Sequence, residues 1–64
     1  MNNRFVTGTL IGVDSNAFSL MGHFQNLALQ QGFSREWVNS IIQDAMSGDY
    51  DRLLRVLDSH MREE

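Results

Sequence analysis

An α+β fold, with an N-terminal strand followed by three packed helices, is what three features of this 64-residue chain predict. A β-branched run fills residues 4–13, three apolar stripes at helical spacing come after it, and capping residues stand before each stripe. At this length one domain, residues 1–64, is the ceiling.

The strand is expected over about residues 4–13. Phe5, Thr7, Thr9, Ile11 and Val13 alternate with Val6, Gly8, Leu10 and Gly12, so both faces carry apolar side chains. Only one strand is visible, or at best a short hairpin turning near Gly8. A lone strand leaves backbone groups unpaired on both edges. The nearest partner is a second copy of the chain, so a homodimer is expected through Phe5, Val6, Thr7, Thr9, Leu10 and Ile11.

The first helix is expected over about residues 15–31. Asp14, Ser15 and Asn16 are helix starters. Ala17, Leu20, Met21, Phe24, Leu27 and Ala28 form one apolar stripe behind them. Gly22 interrupts it, which points to close approach by another element. Gly32 suits the left-handed position after the helix. Ser34 caps a second helix over about 35–46, with Glu36 in its first turn and Trp37, Val38, Ile41, Ile42 and Ala45 inward. Ser47-Gly48 breaks that helix. Asp49 then caps a third over about 50–62, burying Tyr50, Leu53, Leu54, Leu57 and Met61. Asp51 with Arg55, and Asp58 with Arg62, stand at the i,i+4 spacing in the favourable acid-first order.

Composition excludes several function classes. The chain has no cysteine and no proline, so no disulfide or cysteine-based metal site supports it. A domain this small buries only about 60% of its unfolded surface, which leaves self-association as a source of stability. All five cations are arginine, against eight acids and a net charge of −3. Such a chain lacks the broad basic face that binds nucleic acid. No apolar run reaches the ~18 residues of a membrane helix, and no basic-then-apolar leader is visible. A cytoplasmic protein is the expectation.

The chemistry-bearing residues are few. His23 and His60 are two ligands where a zinc site wants three or four. His23 lies beside the first apolar stripe, and His60 near the end of the third helix, where a protonated ring suits the negative dipole. Ser15, Ser34 and Ser47 are explained by helix starts and breaks, leaving no nucleophile with a base and an orienter. Gly48-Asp49-Tyr50-Asp51 has too few ligands for a calcium loop. Gly8-Thr9-Leu10-Ile11-Gly12 lacks the lysine of a phosphate loop. No catalytic residue, metal or cofactor is expected.

Two resemblances bear on the helical part. Gln31-Gly32-Phe33-Ser34 followed by two helices resembles the glycine-phenylalanine turn of ubiquitin-associated domains. Here the second loop comes later, the first helix is longer and the strand has no counterpart, so ubiquitin binding does not follow. The wider resemblance is to a group of short bacterial and phage-borne proteins without an established function. It rests on Leu10-Ile11-Gly12-Val13-Asp14-Ser15-Asn16-Ala17-Phe18, on Met21-Gly22, and on Ala45-Met46-Ser47-Gly48-Asp49-Tyr50-Asp51 with Leu53-Leu54. The position after Asp51 is often histidine in that group; Arg52 stands there in this chain, which argues against metal or catalytic chemistry. The resemblance implies a mobile-element setting and no particular activity.

Asp14-Ser15-Asn16 and Ser47-Gly48-Asp49-Tyr50-Asp51 hold more cap-capable residues than two helix starts require. In the plain reading they cap two helices and brace each other, with Tyr50 near Gly22. In the functional reading both helix starts face one side and bind a partner's acidic or polar group, flanked by Arg35, Arg52 and Arg55. Asp14, Asn16, Arg35, Asp49, Tyr50, Arg52 and Arg55 are then the candidate partner-binding residues. The expected role is a non-catalytic protein-interaction module, an accessory protein of a phage or mobile element. Two alternatives are an acidic inhibitor of a host defence or transcription protein and a helix-turn-helix regulator. Asp49, Asp51 and Asp58 outweigh the nearby arginines and speak against the regulator.

Overall fold

The structure, a computed structural model, describes residues 5–63; Met1–Arg4 and Glu64 lie outside the described residues. The predicted strand's first residue, Arg4, is therefore among those outside. The elements run β1 (Val6–Thr7), α1 (Ala17–Gln30), α2 (Arg35–Ala45), α3 (Tyr50–Ser59) and β2 (Met61–Arg62). The predicted order of one strand and then three helices stands, with a second short strand added at the C-terminal end.

That second strand corrects the expectation of a lone strand or a hairpin. β1 and β2 pair in parallel, Val6 opposite Met61 and Thr7 opposite Arg62. Parallel strands need a long crossover, and the three helices supply it. The Val6 N–H donates to the His60 carbonyl and the Gly8 N–H to the Arg62 carbonyl, each at 2.8 Å. Thr7 lies between these two residues and turns its own backbone groups the other way. There the Thr7 N–H donates to Gln31 Oε1 at 2.8 Å, and Gln31 Nε2 donates to the Thr7 carbonyl at 2.7 Å. A primary amide offers an acceptor and donors much as a peptide group does. The Gln31 side chain thus stands where a third strand would pair.

The strand is also shorter than predicted. After Thr7 the chain leaves the ladder at Gly8, whose φ of +149° is a conformation side-chain-bearing residues rarely adopt. A Cβ there would lie 2.7 Å from Leu27 Cδ1, so α1 approaches the backbone closely at this point. Thr9, Leu10 and Ile11 then belong to an irregular connection rather than to a strand. His23 Nε2 bonds the Thr9 carbonyl at 3.0 Å and ties that connection to α1. The reason offered for a strand-mediated dimer, an unpaired strand, is met inside the chain.

The helices bury the stripes read from their spacing. Leu20, Met21, Phe24 and Ala28 of α1 meet Val38, Ile41 and Ala45 of α2 and Leu53, Val56 and Leu57 of α3. Val6 and Met61 close the same core from the sheet. α1 ends as its sequence asks. Gly32 takes φ +93°, the Gly32 N–H bonds the Leu29 carbonyl at 3.2 Å, and the Phe33 N–H bonds the Ala28 carbonyl at 3.0 Å. These are the paired bonds of a glycine-terminated helix. The same turn sets Gln31 facing Thr7.

Other expectations need correction. Nothing lies within 4 Å of where a Gly22 Cβ would be, so no other element approaches α1 there. α3 ends at Ser59 rather than near residue 62. His60 Nδ1 bonds the Val56 carbonyl at 2.7 Å; because a carbonyl only accepts, that nitrogen carries the hydrogen. The bond satisfies a carbonyl of the last turn, and the chain then extends into β2. Consequently Asp58 and Arg62 are not an i,i+4 helix pair; the Arg62 guanidinium lies 4.1 Å from the Phe5 ring centre. Met61 reaches the core from a strand, and Val56 fills the place in the α3 stripe that Tyr50 was expected to share.

Candidate functional site

The two polar blocks are brought together where the start of α1 meets the turn between α2 and α3. In the first block, Asn16 Oδ1 accepts from the Phe18 N–H at 2.8 Å and caps α1. Asp14 Oδ1 accepts from the Asn16 N–H at 3.1 Å and shapes the approach to that cap. In the second block, Asp49 Oδ1 accepts from the Arg52 N–H at 3.0 Å and caps α3. The Tyr50 hydroxyl donates to the Ser15 carbonyl and so joins the blocks. The expected bracing is real, with Ser15 as its partner in place of Gly22.

Arg52 fastens the turn from outside. Its Nε donates to Ser47 Oγ at 2.9 Å, and its Nη2 meets Asp44 Oδ1 at 2.7 Å. The Ser47 hydroxyl itself donates to the Asp44 carbonyl at 2.6 Å. The stem of Arg52 crosses Gly48, where a Cβ would lie 2.5 Å from Arg52 Cδ. Arg52 therefore has a packing reason to follow Ser47-Gly48-Asp49. Arg55 pairs with Asp51 at 3.4 Å, and both side chains stay largely in water. Asp49, Asp51, Arg52, Arg55 and Val56 line a shallow hollow of about 280 Å³ beside the α3 start.

Arg35 is not part of this cluster. It opens α2, whose 11 residues put its start about 16 Å from the turn to α3. Of the residues expected at a dimer strand, Val6 is fully buried, while Thr9, Leu10 and Ile11 sit in the connection to α1. Among the described residues, no three histidine or acidic side chains come close enough to hold a metal ion. The His60 and Trp37 rings instead meet nearly at right angles, centres 5.9 Å apart, and Trp37 stacks on Phe33 at 4.4 Å.

Sequence reasoning missed the apolar part of the junction. Phe18 and Met46 are exposed there, as is Tyr50, which its spacing predicts to be buried. Phe18 lies outside the arc of the α1 stripe, and Met46 is the first residue past the α2 stripe. Position relative to each stripe was the available signal. No protein-family model, curated protein or solved structure matches the chain. Among the described residues no helix is long and apolar enough to cross a membrane.

Proposed function

We propose that the chain is a non-catalytic protein-interaction module that meets its partner at the junction of α1 with the α2–α3 turn. What supports this most is the Tyr50–Ser15 bond, which holds Phe18 and Tyr50 at one end of the molecule with large apolar side chains in water. Isolated exposed apolar residues are ordinary, whereas a group of them rimmed by polar residues marks an interaction surface. Capping accounts for the orientation of Asp14, Asn16 and Asp49, and it leaves their outer faces free for contact. A phage or mobile-element setting is the context that the two resembling blocks support.

The test is co-purification from the source cells with two surface variants. A protein that accompanies the wild type and the Arg35→Ser variant should be lost with Phe18→Ser. Loss with Arg35→Ser and retention with Phe18→Ser would move the surface to the far end of α2 and sink the reading.

A further inference from the structure

Phe18 and Tyr50 are 79% and 45% exposed, and Met46, just across the α2–α3 turn, is 55% exposed. Phe18, the second residue of α1, lies three residues beyond Ser15, whose carbonyl receives the Tyr50 hydroxyl. Together these side chains present on the order of 300–400 Å² of surface, taking 150–250 Å² for each whole aromatic side chain. That is under half of the ~800 Å² each partner contributes to a stable interface of ordinary size. The area suits a short segment better than the face of a folded domain.

Charge narrows the occupant further. Asp14, Asp44, Asp49 and Asp51 surround the junction, against Arg52 and Arg55. Both arginines are already committed, one to Asp44 and one to Asp51. Asp14 and Asp49 each use one oxygen to accept a backbone N–H and make no ion pair among the described residues. The positive ends of α1 and α3, with Arg52 and Arg55 in the same hollow as Asp49, offset part of the acidic excess, but neither Asp14 nor Asp49 makes an ion pair among the described residues. A second copy of the chain would bring the same acids face to face. Nucleic acid and anionic lipid are repelled for the same reason.

We propose that the Phe18–Met46–Tyr50 surface docks a short cationic amphipathic segment of another protein. The segment's apolar side chains rest on those three residues, and its lysines or arginines reach the free oxygens of Asp14 and Asp49. Met46 suits such a role because a flexible thioether adapts to irregular apolar surfaces. The inference rests on the junction being an interaction surface, and it adds the chemistry of what binds there.

The probe is a helical peptide of about 14 residues with leucines at i, i+3, i+4, i+7 spacing and lysines elsewhere. A second peptide carries glutamate in place of lysine. Amide shifts of the isotopically labelled full chain report where each one binds. The lysine peptide should move the amides of residues 14–18 and 46–52 and saturate. Phe18→Ser should weaken it about tenfold, and Asp14→Asn with Asp49→Asn should weaken it several-fold while flattening its salt dependence. Asparagine keeps the Asp14 turn bond and the Asp49 cap, so folding is preserved in that variant. The glutamate peptide should move nothing. If it moves the same amides equally well, the cationic assignment is overturned and the interaction surface survives. Binding that is indifferent to Phe18→Ser reflects net charge alone and overturns the proposal. If neither peptide moves these amides, the cationic-segment proposal is overturned, and the surface reading stands or falls with the co-purification of the Phe18→Ser and Arg35→Ser variants.

Discussion

At Asp49 the carboxylate that caps α3 through the Arg52 N–H also lines the open hollow beside it, so its capping role can be tested apart from the contact proposed for it. Asp49→Ala should cost about 0.5–2 kcal/mol, a serious fraction of the roughly 3–10 kcal/mol expected of a domain this small. Asp49→Asn should restore most of the loss, because the amide oxygen still accepts while the charge is gone. Denaturant midpoints of the three proteins decide it. An unchanged midpoint for Asp49→Ala would mean that the cap carries no stability. Gly22 offers the opposite case. It sits inside α1 with ordinary backbone angles and open space around its Cβ position. Gly22→Ala should therefore stabilise by about 0.5–1 kcal/mol, by removing the backbone freedom of glycine from the unfolded chain. A midpoint that falls would show crowding at Gly22 after all. Ser34 and Asp49 were legible as caps because each is a capping residue standing just before an apolar stripe, whereas for α1 the sequence marked only the cluster Asp14-Ser15-Asn16, of which Asn16 is the cap. Gly22 was misread because a glycine in a stripe looks the same whether it admits a neighbour or merely interrupts.

Among the elements, the helices were legible and the sheet was not, for a physical reason. A helix repeats its apolar spacing over several turns, and each of these three buries most of the stripe its residues spell out. β2 is two residues long, and its Met61 continues the Leu57 spacing of α3, so the strand hides inside a helical pattern. The Ser59 hydroxyl and the His60 ring, both bonding back to the Val56 carbonyl, mark the place where helix gives way to strand. Hydrogen exchange tests the pairing directly. The Val6 and Gly8 amides, which donate to His60 and Arg62, should exchange more slowly than the Ile11 amide, which only bonds Thr9 Oγ1 at 3.1 Å. Their protection should not change with protein concentration, because both partners lie in one chain. Protection that rises with concentration would place the pairing between chains instead. The junction was partly legible: its polar blocks stood out as an excess of capping residues, whereas nothing local to Tyr50 or Ser15 announced a contact across 35 positions.

For the molecule as a whole, the question left by a small uncrosslinked domain is where its stability comes from. A second copy was one answer, since an unpaired β edge and a thin core both favour association. The fold supplies another. Its radius of gyration is 10.8 Å, close to the ~10.7 Å of a compact domain this long. All three helices and both strands contribute to one core. β1 has β2 on one side and the Gln31 amide on the other, so the Thr7 backbone offers no free pair of groups to an incoming strand. Pairing through Thr7 would have to displace two good hydrogen bonds to form two others, a near-zero exchange. Bringing two chains together costs at least several kcal/mol. Sedimentation at tens of micromolar should therefore return the mass of one chain, 7.3 kDa. Gln31→Ala sharpens the test. It frees the Thr7 edge, yet an edge one residue long recovers too little to hold two copies, so this variant should also sediment as a single chain. A doubled mass for Gln31→Ala alone would make Gln31 the barrier to association. A doubled mass for the wild type would overturn the argument from the paired Thr7 edge and return the strand-mediated dimer as the way the copies meet.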